Sequence, residues 1–392
     1  MTATSPFPSA TTAEWRDWRW QQRHVLTTAA EIGEVVRLSE EELRGLTLAE
    51  GRFRVAITPY YASLMDPEDP SCPVRMQAIP SPAELESAPG DLVDPLGEEP
   101  RRPVPALVHR YRDRVLLLAG DRCQVYCRHC TRRRVTLSEP GAGDLGKAAL
   151  GEAVAYVRAH PEVRDVIVSG GDPLVLSDER VCELLAELRA IPHVQILRLA
   201  TRAPVTCPMR ITEELAAALR RFAPLFVITH FNHPRECTPE AQEACGRLVD
   251  HGVPVENQTV LLRRVNSSAR ILIDLFERLL TFRVRPYYLH QGDLAAGTGH
   301  LRTPLEVAVR ILEEMRGRTS GLAIPHLAVD LPGGLGKVTL SPDYRASGPP
   351  GAFAAWPGTW FRSPRGEICF YPESPGEDCS CPYEEVYYRA RG

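Results

Sequence analysis

The most informative stretch of this chain is Cys123-Gln-Val-Tyr-Cys-Arg-His-Cys130. Its three thiols, Cys123, Cys127 and Cys130, have the spacing C-x3-C-x2-C and come soon after the apolar run Val115–Leu118. A strand that leads into a loop of closely spaced thiols is typical of a metal or iron–sulfur centre. Three thiolates leave one iron of a four-iron cluster without a protein ligand, and that open position can bind a cofactor or a substrate.

The alternative is a set of buried thiols without chemistry, because free cysteine is a common core residue. The arginines around this loop argue against it, since they make a poor core and favour thiolate over thiol. A zinc site would need a fourth ligand, and His129, between two of the cysteines, is poorly placed to supply it. The loop therefore predicts an iron–sulfur cluster. The arginines are Arg122, Arg128, Arg132, Arg133 and Arg134.

The same stretch carries a resemblance to known proteins. Its cysteine spacing, with the aromatic Tyr126 before the second thiol, resembles the radical S-adenosylmethionine superfamily. The longer string Tyr126-Cys-Arg-His-Cys-Thr-Arg-Arg-Arg134 is similar to the lysine 2,3-aminomutase family, and the similarity extends from Trp15 to about Tyr344. It implies an enzyme that uses a [4Fe–4S] cluster, S-adenosylmethionine and pyridoxal 5′-phosphate.

Composition limits the other possibilities. The chain has 392 residues, of which 44% are hydrophobic and 24% charged, as in soluble globular proteins. With a net charge of −4 and no basic block outside the cysteine loop, neither nucleic acid nor a membrane surface is an expected partner. No apolar run has the length of a signal peptide core or a membrane span. The 11 unevenly spaced cysteines fit a reducing cytoplasm, where we expect the protein.

Four segments are expected: a disordered tail over 1–12, a helical and irregular arm over 13–108, a barrel over 109–340 and a C-terminal segment over 341–392. In the arm, the aromatic face of Trp15–His24 and the capping box Ser39–Glu42 each predict a helix. Residues 65–104 are rich in Pro, Asp and Glu and show no period, so we expect irregular structure there, with packing as its main role.

From residue 115 onward, short apolar runs alternate with helical patterns at a spacing of about 30 residues, the length of one βα unit. This alternation predicts an α/β fold with a parallel sheet and outer helices, in the form of a partial (β/α)6 barrel rather than a closed eight-stranded one. Chemistry in such folds collects at the carboxyl ends of the strands. The runs are Val115–Leu118, Asp165–Val168, Gln195–Leu199, Leu225–Thr229, Val255–Leu262 and Val284–Leu289.

Candidate cofactor residues follow several of these strands. After the second strand, Gly170 and Gly171 allow close backbone approach, and a carboxylate such as Asp172, or a carbonyl, can hold an ammonium group; a plain βα turn is the alternative. The resemblance implies that this turn binds the methionine amino group of S-adenosylmethionine. His230 and Gln258, at the ends of the fourth and fifth strands, match family strings and are assigned to cofactor contacts, with strand capping as the alternative.

The glycine-rich string Asp330-Leu-Pro-Gly-Gly-Leu-Gly-Lys337 ends in a lysine that could form a Schiff base with pyridoxal phosphate or simply face solvent. The resemblance implies the first role for Lys337, and it implies that Arg114 holds the cofactor phosphate. It also implies that Asp293 and Asp330 hold the far ammonium group of the substrate, while Arg132 binds its carboxylate.

The chain departs from the family pattern near its C-terminal end. Lysine enzymes of the family carry four cysteines that bind zinc. Here Cys379 and Cys381 remain, but Glu384 and Ser268 stand where the other two would be. Two thiols do not complete a tetrahedral site, so we expect no structural zinc.

The resemblance, together with these residues, implies a 2,3-aminomutase that converts L-lysine to L-β-lysine through a 5′-deoxyadenosyl radical, with an external one-electron reductant and a homo-oligomeric assembly. L-Arginine is the alternative substrate. Gly292 stands where lysine enzymes carry Cys, and Thr298-Gly299 also departs, which would enlarge the pocket unless a neighbour such as His290 refills it. The aspartate pair argues against glutamate. More remote alternatives are a pyridoxal-dependent racemase, a radical enzyme that modifies RNA or protein, and a non-catalytic metal-binding module.

Overall fold

The computed structural model describes residues 7, 10–136, 145–351, 357–373 and 389. The chain divides into two compact units, Met1–Ser341 and Pro342–Gly392. Within the described ranges, no helix is both long and apolar enough to cross a membrane. The helices are α1 Thr12–Arg16, α2 Trp18–Arg23, α3 Ala29–Gly33, α4 Glu40–Ala49, α5 Pro59–Ser63, α6 Pro73–Ala78, α7 Arg133–Thr136, α8 Lys147–Ala159, α9 Asp178–Arg189, α10 Ala203–Thr206, α11 Glu213–Leu219, α12 Pro239–Asp250, α13 Ala269–Thr281 and α14 Leu305–Met315.

The first unit is built on one sheet in which β1 to β9 lie in chain order. Strands β2 to β8 run parallel, and β1 and β9 pair antiparallel at the two edges. All six predicted strands are confirmed as β2 to β7, and β8 is a further parallel strand that the sequence pattern missed. The strands are β1 Leu107–Tyr111, β2 Arg114–Leu118, β3 Asp165–Ser169, β4 Ile196–Ala200, β5 Leu225–Thr229, β6 Val255–Leu261, β7 Val284–Gln291, β8 His326–Leu331 and β9 Gly336–Leu340.

The sheet curls into the partial barrel that the sequence predicts. Right-handed crossovers between sequential parallel strands place every connecting helix on the same face, so the other face turns inward. The curl is directly visible at the edges, because Arg110 on β1 donates to Asp330 on β8 at 2.9 Å, although these strands lie near opposite ends of the sheet order. The barrel is therefore bridged at its open side by an ion pair rather than by a strand ladder.

Amphipathic helices cover the outer face. In α13, Leu272, Leu275, Phe276 and Leu279 recur at helical spacing, and all four are fully buried. The arm packs around the barrel: its predicted capping box at Ser39–Glu42 opens α4, and its tryptophans are buried within this chain. Residues 65–104 are irregular apart from α6 and short 3-10 turns, as expected.

The second unit contains an antiparallel hairpin of β10 Gly358–Arg362 and β11 Ile368–Pro372. Trp360 and Phe370 face each other across it, with ring centroids 5.1 Å apart. Cys379, Cys381 and Glu384 lie outside the described residues. Ser268, in the first unit, is the residue before α13 and makes no side-chain cap.

Candidate active site

The cysteine loop is fixed by the arm. Arg128, between the second and third cysteines, is fully buried, and its guanidinium donates to Glu84 at 2.6 and 2.8 Å. Arg133 donates to the same carboxylate at 2.7 Å. Burial works against ionisation of Glu84, but the two arginines outweigh it and lower its pKa. A single acid, from a segment expected mainly to pack, therefore anchors two arginines of the cysteine stretch.

The glycine turn after β3 is joined to the approach of the first cysteine. The amide of Gly171 donates to the carbonyl of Gly120 at 2.7 Å, and that of Asp172 donates to the carbonyl of Arg122 at 2.8 Å. A Cβ on Gly170 would stand 2.4 Å from the Gly120 oxygen, and one on Gly171 would stand 2.3 Å from the Arg122 oxygen. Close packing of the two loops is thus one physical reason for both glycines.

Cys127 contacts an arginine from outside the cysteine loop. Arg202, which follows β4, donates through Nη1 to Cys127 Sγ at 2.9 Å. Burial raises the pKa of the Cys123 thiol well above its ordinary value and also raises that of Cys130. For these two thiols burial outweighs the neighbouring charges, although Arg132 acts in the expected direction and lowers the pKa of Cys130.

His129 presents a buried donor beside the cysteines. Asn232 Nδ2 lies 3.3 Å from His129 Nε2, and its own Oδ1 accepts from the Val260 amide, which fixes the orientation of the amide group. Nε2 is therefore the acceptor, and the proton of the neutral ring sits on Nδ1. That Nδ1 is buried and has no partner among the described residues. A bound group with an acceptor atom, such as a cluster or a cofactor, would satisfy it.

The three thiols suit a cluster better than a single ion. No three His, Cys, Asp or Glu side chains in the described part of the chain converge closely enough to hold one metal ion. A four-iron cluster makes no such demand, because each thiolate binds a different iron. The Arg202 contact adds a donor to a ligand sulfur, a common feature of such centres.

The carboxylate of Asp172 is occupied by hydrogen bonds within the protein. Its carboxylate accepts from Thr201 Oγ1 at 2.6 Å, from the Leu174 amide at 2.9 Å and from the Arg202 amide at 2.8 Å. Burial nevertheless raises its pKa. With its oxygens engaged in this way, the backbone of the turn is better placed than the Asp172 carboxylate to hold an ammonium group.

Lys337 lies on β9, opposite Asp330 on β8. Its Nζ donates to an Asp330 oxygen, lies 3.2 Å from His290 Nδ1 and stands 5.3 Å from the centre of the Tyr288 ring. Burial opposes ionisation of Asp330, but Lys337 and Arg110 outweigh it and lower its pKa. Burial and the Lys337 charge lower the pKa of His290 to about 3, so its ring is neutral and accepts from the ammonium.

Asp293 and Arg132 interact electrostatically with groups at the two ends of the site. Burial and the neighbouring Asp330 raise the pKa of Asp293 to about 6, while Thr131, Lys337 and Arg132 act in the opposite direction. Arg132 also interacts electrostatically with Cys130. These mutual influences place the two ends of the site in one continuous region at the carboxyl ends of the strands.

The three remaining predicted residues differ in their surroundings, and His230 lies beside Arg202, whose Nε donates to the His230 carbonyl at 3.1 Å. Arg114 is the first residue of β2, its side chain is 42% exposed and paired with Asp113, and its guanidinium lies 4.8 Å from the centre of the Tyr111 ring. Gln258 lies within β6 rather than at its end, because that strand continues to Leu261 past an irregularity in its pairing. His230 follows β5, and burial together with Arg202 lowers its pKa to about 4.

Sequence reasoning missed four residues of this region. Arg202 had a usable signal, since it comes three residues after the predicted strand Gln195–Leu199. Arg110 carried no expectation, and His290 was expected only as a possible filler of the substrate pocket, without a role toward Asp330 and Lys337. Glu98, buried in the arm, lay in a segment without a period and carried no signal at all.

Comparison with known proteins identifies relatives. A family model described as lysine-2,3-aminomutase matches residues 312–377. An L-lysine 2,3-aminomutase of Fusobacterium nucleatum subsp. nucleatum is 48% identical over 344 residues, which cover 88% of this chain and 80% of that protein. One of Clostridium subterminale is 48% identical over 338 residues, covering 86% and 81%. A glutamate 2,3-aminomutase of Clostridioides difficile is 40% identical over 339 residues, covering 86% and 80%.

Proposed function

The chain belongs to the lysine 2,3-aminomutase family, and from this premise we propose that it converts L-lysine to L-β-lysine by a radical 1,2-shift of the α-amino group. The observation that supports lysine best is the setting of Lys337, a primary ammonium held against Asp330 with Asp293 nearby. The pocket thus already accommodates a cation of the kind that ends a lysine side chain.

Glutamate fits this pocket poorly, although one relative bears its name. A glutamate side chain would bring a further negative charge beside Asp293 and Asp330, whose proximity already raises the pKa of Asp293. A basic amino acid removes that repulsion instead.

Each cofactor has residues that suit it. Cys123, Cys127 and Cys130 would hold the [4Fe–4S] cluster, and the His129 donor beside them, which has no partner among the described residues, fits an acceptor there. Lys337 would hold pyridoxal phosphate covalently through its amine, with Arg114 toward the phosphate. S-Adenosylmethionine would contact the turn of Gly170, Gly171 and Asp172, and also His230 and Gln258.

When bound, the cluster and S-adenosylmethionine supply a hydrogen-abstracting radical, and pyridoxal phosphate supplies the carbonyl group that carries the migrating amine. The chain's own part is positioning. Arg132 would fix the substrate carboxylate, and Asp293 and Asp330 the far ammonium, so that the carbon chain between them is held in one orientation. The buried setting of these groups keeps water away from the radical.

The test is anaerobic reconstitution with iron, sulfide and pyridoxal phosphate, followed by absorbance spectra and assay of β-lysine. We expect replacement of Cys123, Cys127 or Cys130 by Ala to abolish reductive cleavage of S-adenosylmethionine while pyridoxal phosphate stays on Lys337. Cys182→Ala, a half-buried thiol outside the site, is the control and should behave as the unaltered enzyme. Cleavage by a triple Ala variant would refute the cluster assignment.

The same experiment separates the rival functions. A racemase would show the pyridoxal spectrum without need of the cluster, and an enzyme acting on RNA or protein would show the cluster without need of Lys337. An external one-electron reductant is part of the proposal, since the cluster must be reduced. Homo-oligomeric assembly, cytoplasmic location and the absence of structural zinc stay predictions.

A further inference from the structure

Arg132 is bound along one edge by a buried acid of the arm. Its Nε lies 3.1 and 3.3 Å from the two oxygens of Glu98, and its Nη2 lies 3.0 Å from one of them. The Glu98 side chain is 5% exposed, whereas that of Arg132 is 21% exposed. In the described part of the chain, no hydrogen bond engages Arg132 Nη1. The guanidinium therefore has one edge fixed and one nitrogen available.

Glu98 is itself held on a constrained turn. The Gly97 amide donates to the Asp94 carbonyl at 3.2 Å, and the Glu99 amide donates to the Asp94 carboxylate at 2.8 Å. Gly97 has φ +60°, and a Cβ there would stand 2.7 Å from the backbone of Gly333, in the loop that leads to Lys337. The position of Glu98 is thus tied to the backbone beside the cofactor lysine.

A guanidinium can bind two carboxylates at once, because its five N–H groups point along more than one edge. An acid beside a site for another carboxylate would ordinarily repel it. Here a second guanidinium, Arg134, lies 3.6 Å from Glu98 and offsets part of this repulsion, although it also pairs with Asp94 at 3.4 Å and with Glu99 at 3.0 Å. Glu98 can then fix one edge of Arg132 and leave Nη1 available to a substrate carboxylate.

We propose that Glu98 is a positioning residue that holds Arg132 so that its free nitrogen meets the α-carboxylate of the substrate. This inference rests on the proposed function, in which Arg132 binds that carboxylate. Through Arg132, Glu98 would thereby help the enzyme to select α-amino acids over amines and amides, which lack the negative charge of a carboxylate.

The experiment compares Glu98→Gln with Glu99→Gln in the reconstituted enzyme. Glu99 is the neighbouring acid, 51% exposed, and pairs with Arg134 and Arg102 rather than with Arg132. Two quantities are measured, the KM for L-lysine and the inhibition constant of L-lysinamide, which keeps both ammonium groups but lacks the carboxylate charge. We expect Glu98→Gln to raise the KM for lysine by about ten- to a hundredfold, as small misplacements do, and to leave lysinamide inhibition unchanged. Glu99→Gln should alter neither.

The outcomes are distinct. Equal weakening of lysine and lysinamide, an unchanged KM or a lowered KM in Glu98→Gln would each overturn the inference, because each shows a structural or competing role. If Glu98→Gln does not fold, Glu98→Asp decides, with the same selective loss expected on a smaller scale. An unaltered enzyme that does not turn over lysine would overturn the proposed function, and this inference with it.

Discussion

Asp293 follows β7 and Asp330 lies on the neighbouring strand β8, yet the two acids differ in what surrounds them. Asp330 already has two cationic partners, Arg110 at 2.9 Å and Lys337. Asp293 forms no ion pair in the described ranges, and burial raises its pKa to about 6. A carboxylate whose charge is poorly compensated gains most from an incoming cation. We therefore expect Asp293 to contribute more than Asp330 to holding the far ammonium of the substrate.

This difference predicts a pH dependence. Because the Asp293 pKa is raised to about 6, its carboxyl is charged above that pH and becomes neutral below it. His290 and His230, with pKa values lowered to about 3 and about 4, stay neutral over the same range. We expect kcat/KM for lysine to fall by up to about tenfold per pH unit below the Asp293 pKa, as for any single essential carboxylate. Asp293→Asn should lower kcat/KM at all pH values and remove this limb of the profile. If the Asp293→Asn variant still shows the fall of kcat/KM at low pH, a group other than Asp293 causes that fall.

At the scale of elements, the cysteine loop is positioned by close contact with its neighbours. Gly171→Ala tests the contact with the turn after β3, because the added Cβ would stand 2.3 Å from the Arg122 oxygen, a backbone atom that cannot simply rotate away. We expect destabilisation of about 1–3 kcal/mol in denaturant unfolding, as for overpacking, together with reduced iron content after reconstitution.

The matched control is Gly151→Ala. Gly151 lies inside α8, where an added Cβ meets nothing within 4 Å. The same chemical change should there stabilise the protein by about 0.5–1 kcal/mol, since alanine is the better helix former. Equal effects at the two sites would mean that the loop contact does not constrain the cysteines.

Most of the parallel strands could be predicted from the sequence, but one strand and the contacts between distant segments could not. Buried parallel strands are continuous apolar runs of ordinary length, so β2 to β7 could be recognised in sequence. Strand β8 could not be predicted from the sequence, because its apolar part is limited to the three residues Leu327-Ala-Val329 before Asp330. The partnership of Glu84 with Arg128 could not be foreseen, because it joins residues 44 apart through an irregular segment that has no period.

For the molecule as a whole, the site depends on parts that are distant in sequence. The thiols come from one end of the sheet order and Lys337 from the other, and the curl of the sheet brings them into one region. Motifs could identify the groups at each end, since each has a local string. Their arrangement could not be derived that way: that Arg202 rather than the loop arginines touches a thiol, and that Lys337 is held by His290, follow only from the folded chain.

The choice between lysine and arginine also depends on distant packing. From the sequence, Gly292 is expected to enlarge the substrate pocket unless His290 fills the added space. Instead, a Cβ at Gly292 would stand 3.1 Å from Arg302 Cγ, so Arg302 occupies that space, and its side chain is only 12% exposed and anchored by an ion pair with Asp91. His290 is engaged with Lys337 and does not fill the gap. The departure from the family string at Gly292 therefore does not provide room for a guanidinium.

We accordingly expect the enzyme to prefer lysine. Arginine is longer, and a packed pocket rejects excess volume at a cost that commonly amounts to about 10- to 200-fold in kcat/KM. The deciding measurement is direct competition of the two amino acids, read as the ratio of their kcat/KM values for β-amino acid formation. Arg302→Ala supplies the complementary test, because removing the side chain that fills the space beside Gly292 should narrow the ratio in favour of arginine. A ratio that favours arginine in the unaltered enzyme would reverse the substrate assignment while leaving the radical chemistry and the roles of Asp293 and Asp330 intact, since a guanidinium also pairs with two carboxylates.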